Sequence, residues 1–160
     1  MLKELFLSAR DLIIHVVTYH MNRNGPVIII EDDADDQEVL LETFQKLNYS
    51  NEIKFFLDSQ EALDHLNRTD IIPFLILSDI NMPKLDGFAL RNKIYTDAQL
   101  QLKCIPYLFF STAATQKAVV DAYSMSVQGF FLKQSSIAEL EKTIDVIMAY
   151  WKRCVAPNDV

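Results

Sequence analysis

The fold is decided by the stretch Val27-Ile28-Ile29-Ile30, which runs directly into Glu31-Asp32-Asp33. Four consecutive β-branched residues predict a short strand that is buried on both faces, as strands are in a parallel sheet covered by helices. The acidic residues follow at the point where this strand ends. In open parallel sheets the functional site lies at the carboxyl ends of the strands. The residues that follow the other strands are therefore the next to identify.

The rest of the chain alternates between strands and helices. Four more short apolar runs predict strands at Ile53–Leu57, Phe74–Leu77, Tyr107–Phe110 and Phe130–Leu132. Apolar residues at helical spacing predict the helices Asp35–Leu47, Ser59–Leu66, one that begins at Phe88, Lys117–Met125 and Ile137–Arg153. This alternation predicts an α/β fold in which a five-stranded parallel sheet has helices on both faces.

The composition excludes several classes of protein. Hydrophobic residues make up 50% of the 160 residues and charged residues 23%, which is typical of one globular domain and unlike disordered, collagen-like or small disulfide-rich chains. The formal net charge of −7 makes nucleic acid a poor partner and favours a metal ion or a cationic protein surface. Cys104 and Cys154 are far apart and fit neither a disulfide framework nor a zinc site. Without a disulfide framework, a reducing cytoplasm is the expected location, and no apolar run is long enough to span a membrane.

The polar segment 22–26 divides the chain. We expect an N-terminal amphipathic helix and linker at 1–25, the main domain at 26–153 and a tail at 154–160. Apolar residues near 3.6-residue spacing predict a helix over 2–20, whose apolar side needs a covering surface. That surface is its own domain, a second copy in a homodimer, or another partner. Alternatively, Met21 is the natural start and residues 1–20 are an upstream addition.

Acidic residues follow two of the predicted strands. Glu31 and Asp32 come after the first strand, and Asp79 comes after the third. Carboxylates gathered at one edge repel one another, and a divalent cation removes that repulsion. Mg²⁺ takes oxygen ligands, and the absence of histidine at these positions argues against zinc and copper. Further along, Asp35 and Asp36 are attributed to the favourable interaction of acids with a helix N-terminus.

A hydroxyl and an amine stand at the ends of the fourth and fifth predicted strands. Ser111 ends the fourth strand and Lys133 ends the fifth. An ammonium and a hydroxyl that face a metal-bound carboxylate suit phosphoryl transfer, because its catalysis is mostly positioning and charge neutralisation. Asp79 is the best candidate for the nucleophile, since it ends a central strand and its loop can offer a backbone carbonyl to the metal.

These motifs resemble the receiver domain of bacterial two-component response regulators, especially the single-domain chemotaxis regulators. The resemblance covers about residues 26–153. It rests on four motifs in the expected order, namely Glu31-Asp32, Asp79-Ile80-Asn81-Met82-Pro83-Lys84-Leu85-Asp86-Gly87, Ser111, and Gly129-Phe130-Phe131-Leu132-Lys133. It implies a flavodoxin-like doubly wound sheet with strand order 2-1-3-4-5.

The resemblance also implies a metal site and a phosphoacceptor. Asp79 would accept a phosphoryl group from a phosphohistidine of a sensor histidine kinase or a histidine phosphotransfer protein. Asp32 would bind Mg²⁺ directly, Glu31 would bind it through water, and Asn81 would offer its main-chain carbonyl.

By the same resemblance, three further residues would read the phosphoryl group. Ser111 would hydrogen-bond a phosphoryl oxygen, Lys133 would pair with its charge, and Phe130 would swing inward as Ser111 moves. The last helix, the last strand and the helix before it would form the readout face. The expected output is contact with a downstream protein, without direct binding to nucleic acid or membrane. Only seven residues follow Arg153, too few for an output domain. The protein is not expected to turn over a substrate as an enzyme does.

Two departures from the family pattern support an alternative function. Gln134 stands where these domains usually have proline, and Thr112 replaces a smaller residue. The alternative is a pseudo-receiver, which keeps the fold as an interaction module and is not phosphorylated. A Mg²⁺-dependent phosphatase ranks last, because such enzymes need an aspartate where this chain has Asn81.

Overall fold

The structure is a computed structural model that describes residues 22–68 and 70–156. The helix predicted over 2–20 and most of the tail lie outside the described residues. Within the described part, no helix is both long enough and apolar enough to cross a lipid bilayer.

The described residues alternate between strands and helices as the sequence predicts. The strands are β1 Val27–Ile30, β2 Ile53–Phe56, β3 Leu75–Ser78, β4 Tyr107–Ser111 and β5 Gly129–Leu132. The helices are α1 Ala34–Leu47, α2 Ser59–Leu66, α3 Gly87–Thr96, α4 Ala98–Leu102, α5 Gln116–Ser124 and α6 Ile137–Arg153.

The five strands form one parallel sheet in the order β2-β1-β3-β4-β5. This confirms the predicted fold class and strand order. The register aligns Ile30 with Ser78, and Ser111 with Leu132. Because aligned parallel strands end at the same edge, the residues after β1, β3 and β5 emerge together.

Side chains from alternate positions of the sheet fill two hydrophobic clusters. Val27 and Ile29 face a cluster that includes residues of α1 and α6. Ile28 and Ile30 face a second cluster with residues of α2 and α3. All four side chains are buried, as expected for a central strand covered on both faces. The sheet therefore offers a rigid platform for the loops at its carboxyl edge.

The segment that was predicted as a helix from Phe88 contains two helices. Helix α3 begins one residue earlier, at Gly87, and ends at Thr96. Asp97 has an extended backbone conformation, and its side chain accepts hydrogen bonds from the backbone of Gln99 and Leu100. The break is not predicted from the sequence, because an aspartate favours a helix N-cap but also occurs within helices, and only its extended backbone conformation ends the first helix there.

Candidate functional site

The ends of the strands bring the predicted metal-binding acids and the predicted phosphate-pairing lysine to one edge of the sheet. The backbone N–H of Asp79 donates to the carbonyl of Ile30 at 2.9 Å, which ties the end of β3 to the end of β1. The backbone N–H of Lys133 donates to the carbonyl of Ser111 at 2.8 Å, which ties β5 to β4. The functional side chains are thus positioned by sheet hydrogen bonds and not by flexible loops.

Three carboxylates form an acidic cluster, defined here as Glu31, Asp32 and Asp79. One oxygen from each lies within 4.8 Å of the others. Glu31 and Asp79 are buried, whereas Asp32 is exposed. Burial raises the pKa of the Glu31 carboxyl, and the Lys133 ammonium offsets only part of this effect. Oxygen ligands at this spacing, with one side open to solvent, suit a hard divalent cation such as Mg²⁺.

Lys133 lies between this cluster and the first turn of α1. Its Nζ donates to the carboxylate of Glu31 and to Oδ2 of Asp36 at 2.7 Å, and it lies 3.7 Å from Oδ2 of Asp79. Only 11% of its side chain is exposed. Burial lowers the pKa of Lys133, but the hydrogen bonds to Asp36 and Glu31 outweigh burial, so the net pKa is raised. The amine is therefore a cation that is held among acids.

Asp79 itself is nearly buried, with 7% of its surface exposed. Its Oδ1 accepts a hydrogen bond from the backbone N–H of Ile80 at 2.7 Å. Its carbonyl accepts from the hydroxyl of Ser78 at 2.8 Å. The carboxylate is thus held in one orientation, with Oδ2 directed toward Lys133.

The other predicted site residues occupy different surroundings. Ser111 is fully buried, and its Oγ has no hydrogen-bond partner among the described residues. Asn81 is exposed in the loop after β3, two residues beyond Asp79. Phe130 is half-buried, and its ring lies 6.0 Å from the ring of Phe109. The structure therefore leaves an unsatisfied hydroxyl at the end of β4, and it packs the ring of Phe130 against Phe109.

Two residues that shape the site were not predicted from the sequence. Asp36 is attributed to the helix N-terminus alone, whereas the Asp36 carboxylate also pairs with Lys133. No role is predicted for Gly87, where a Cβ atom would lie 2.3 Å from the carbonyl oxygen of Asp79. The position of Gly87, eight residues after Asp79, was a usable signal. The pairing of Asp36 had none, because Asp36 does not follow a strand directly but lies in the first turn of α1.

A sequence model of the response regulator receiver domain matches residues 27–145, which is most of the chain. The chain belongs to this family. Known relatives of this receiver domain include the probable methanogenesis regulatory protein FilR2 of Methanothrix harundinacea, 26% identical over 78% of this chain and 82% of FilR2. Response regulator Rcp1 of Synechocystis is 25% identical over 81% of this chain and 90% of Rcp1.

Solved structures have the same receiver fold. The phosphorylated cyanobacterial phytochrome response regulator RcpA superposes with a TM-score of 0.75 at 24% identity, covering 84% of this chain and 99% of RcpA. The Mn²⁺-bound form of Rcp1 superposes with a TM-score of 0.71 at 24% identity, covering 82% of this chain and 97% of Rcp1. At these identities the likeness shows the shared fold.

Proposed function

We propose that this receiver domain is the phosphoacceptor switch of a two-component phosphorelay and that Asp79 is the residue phosphorylated. One observation carries the proposal. The nearly buried carboxylate of Asp79 stands in an acidic cluster with Oδ2 3.7 Å from the amine of Lys133. A buried nucleophile between acids that can hold a cation and an ammonium that can meet negative charge is suited to phosphoryl transfer.

The reaction forms one bond and breaks one. A carboxylate oxygen of Asp79 attacks the phosphorus of a phosphohistidine, and a P–O bond forms while the P–N bond breaks. The histidine nitrogen leaves with the electron pair and takes up a proton from solvent. Hydrolysis later returns the carboxylate and releases phosphate. Asp79 is thus modified and restored without turnover of a separate substrate.

Magnesium is the cofactor that fits the acidic cluster. Asp32 and Asp79 would hold Mg²⁺ directly, Glu31 would hold it through water, and Asn81 would add its main-chain carbonyl. When bound, the ion neutralises charge on the phosphoryl oxygens. The crowding of three carboxylates within 4.8 Å supports this assignment. So does the Mn²⁺-bound form of the relative Rcp1, since Mn²⁺ and Mg²⁺ both prefer oxygen ligands.

Three residues would respond to the phosphoryl group. Lys133 would donate to a phosphoryl oxygen, and the unpartnered hydroxyl of Ser111 would gain an acceptor there. Movement of Ser111 would leave space for Phe130 to turn inward. Such a change biases a two-state element and so alters the surface that a partner reads.

The partners follow from this chemistry. We propose a sensor histidine kinase or a histidine phosphotransfer protein as the donor and a downstream protein as the target, with residues 26–153 as the receiver unit. The helix predicted within residues 1–25 is our proposed contact for a homodimer. The net charge of −7 disfavours direct binding to nucleic acid, and a cytoplasmic location suits the kinase partner.

The test is phosphorylation followed by intact mass. With Mg²⁺ and a small phosphoryl donor, the protein should gain about 80 Da, the mass of one phosphoryl group. Asp79→Asn should abolish the gain, and Asp64→Asn, at an exposed carboxylate outside the acidic cluster, should keep it. The absence of any gain in the unsubstituted protein would favour the pseudo-receiver function that Gln134 and Thr112 suggest.

A further inference from the structure

We propose that Asp36 is a positioning residue that holds the Lys133 amine away from Asp79, so that it competes with the phosphoryl group for this amine. The inference rests on the proposed phosphorylation of Asp79. It assigns a restraining role to a residue outside the motifs by which the family is recognised.

The geometry of the amine carries the inference. An ammonium group has three protons to donate. In the structure Nζ of Lys133 donates to Glu31 and, at 2.7 Å, to Asp36. Its distance of 3.7 Å from Oδ2 of Asp79 is beyond hydrogen-bonding range. Two of its three protons are therefore engaged by acids on the α1 side of the site, and a phosphoryl oxygen on Asp79 must compete with these acids for the amine.

A cation in the acidic cluster would weaken the contact of Lys133 with Glu31 but not its contact with Asp36. Glu31 belongs to the acidic cluster, so the positive charge of a bound divalent cation would offset the negative charge of Glu31 and weaken the attraction between Glu31 and Lys133. Asp36 lies outside that cluster, in the first turn of α1. Its ion pair with Lys133 is therefore the restraint that remains when the metal site is filled.

The strength of this restraint sets the expected effect. The Asp36 side chain is 40% exposed, whereas the Lys133 side chain is 11% exposed. Water screens the pair from the Asp36 side, so the coupling is that of a partly exposed ion pair. Removing the charge of Asp36 should thus favour the phosphoryl-bound position of Lys133 by about two- to fivefold.

The experiment measures the affinity for beryllofluoride, a phosphoryl mimic, by calorimetry of the full chain in saturating Mg²⁺. Asp36→Asn should bind it about two- to fivefold more tightly than the unsubstituted protein. Asp35→Asn is the matched control, because it removes the same charge from the same helical turn at an exposed side chain. Asp36→Glu keeps the charge and should return the affinity toward the unsubstituted value.

Each outcome bears on one proposal or the other. A gain in Asp36→Asn that is absent in Asp35→Asn supports the inference. Equal affinities in both variants would show that the position of the removed charge does not matter, and this would overturn the inference. Weaker binding by Asp36→Asn would also overturn it, since Asp36 would then aid Lys133. If the unsubstituted protein neither binds beryllofluoride nor gains mass with a phosphoryl donor, the proposed function itself fails.

Discussion

A methyl group at position 87 should disturb both stability and the phosphoacceptor. The Cβ of Gly87→Ala would lie 2.3 Å from the carbonyl oxygen of Asp79 and 2.9 Å from Cα of Ile80. Carbon and oxygen atoms in contact rest at about 3.3–3.6 Å, so the backbone must move by roughly 1 Å. The carbonyl cannot easily yield, because the hydroxyl of Ser78 donates to it at 2.8 Å.

The expected loss of unfolding free energy in Gly87→Ala follows from two opposing effects. Overpacking costs about 1–3 kcal/mol, with a clash against backbone at the upper end. Alanine at a helical position recovers up to about 1 kcal/mol relative to glycine. A net loss of about 2 kcal/mol should lower the midpoint of urea unfolding by about 1 M. A displacement of about 1 Å at Asp79 should also weaken beryllofluoride binding by tenfold or more.

The matched control is Gly129→Ala, which also adds one methyl group to a buried glycine. There the Cβ would meet side-chain atoms of Leu108 and Phe131, at 2.7 and 2.8 Å, and not backbone. Side-chain ends can shift, which keeps the overpacking cost at the low end of about 1–3 kcal/mol. Because alanine recovers up to about 1 kcal/mol relative to glycine, the net loss should stay below about 1 kcal/mol. If Gly87→Ala matched the unsubstituted protein in both unfolding midpoint and beryllofluoride affinity, the proposed link between α3 and the phosphoacceptor would be wrong.

Three further substitutions test other parts of the structure. Ser111→Ala should change the unfolding free energy by less than about 1 kcal/mol, because the lost hydroxyl has no partner among the described residues. The same substitution should weaken beryllofluoride binding. A large loss of stability would contradict this prediction. Arg91→Met should cost about 2 kcal/mol in urea unfolding, because the buried guanidinium donates to two carbonyls just after α5; an unchanged midpoint would refute it. Burial and the hydrogen bond to Asp145 raise the pKa of Tyr49 to about 12 from 10.0. The folded state therefore keeps this proton more tightly, so the protein should lose stability between pH 10 and 12, and Tyr49→Phe should lose less over that interval if the assignment is correct.

Local patterns predicted most of the elements. The four β-branched residues of β1 favour a buried strand whatever the rest of the chain is, and their side chains are buried in the structure. Helix ends were less well predicted, because they depend on the backbone conformation of one residue. With Asp33 as its cap, α1 begins at Ala34, one residue before the predicted start, and Asp97 splits the expected single helix after Phe88.

Local sequence is enough to show which residues stand at the strand ends, since strand periodicity and the order of polar residues are local properties of the chain. It predicts that Glu31, Asp79 and Lys133 are neighbours, as they are in the structure. How the Lys133 amine is shared among acids depends on the folded chain, because the distance from each carboxylate to the amine is set by how α1 packs beside the strand ends. The ion pair with Asp36 and the contact of Gly87 with the Asp79 carbonyl depend on how helices pack on the sheet. Such packing is set by the whole core at once, so the sequence shows that a glycine stands at position 87 but not which atoms it contacts.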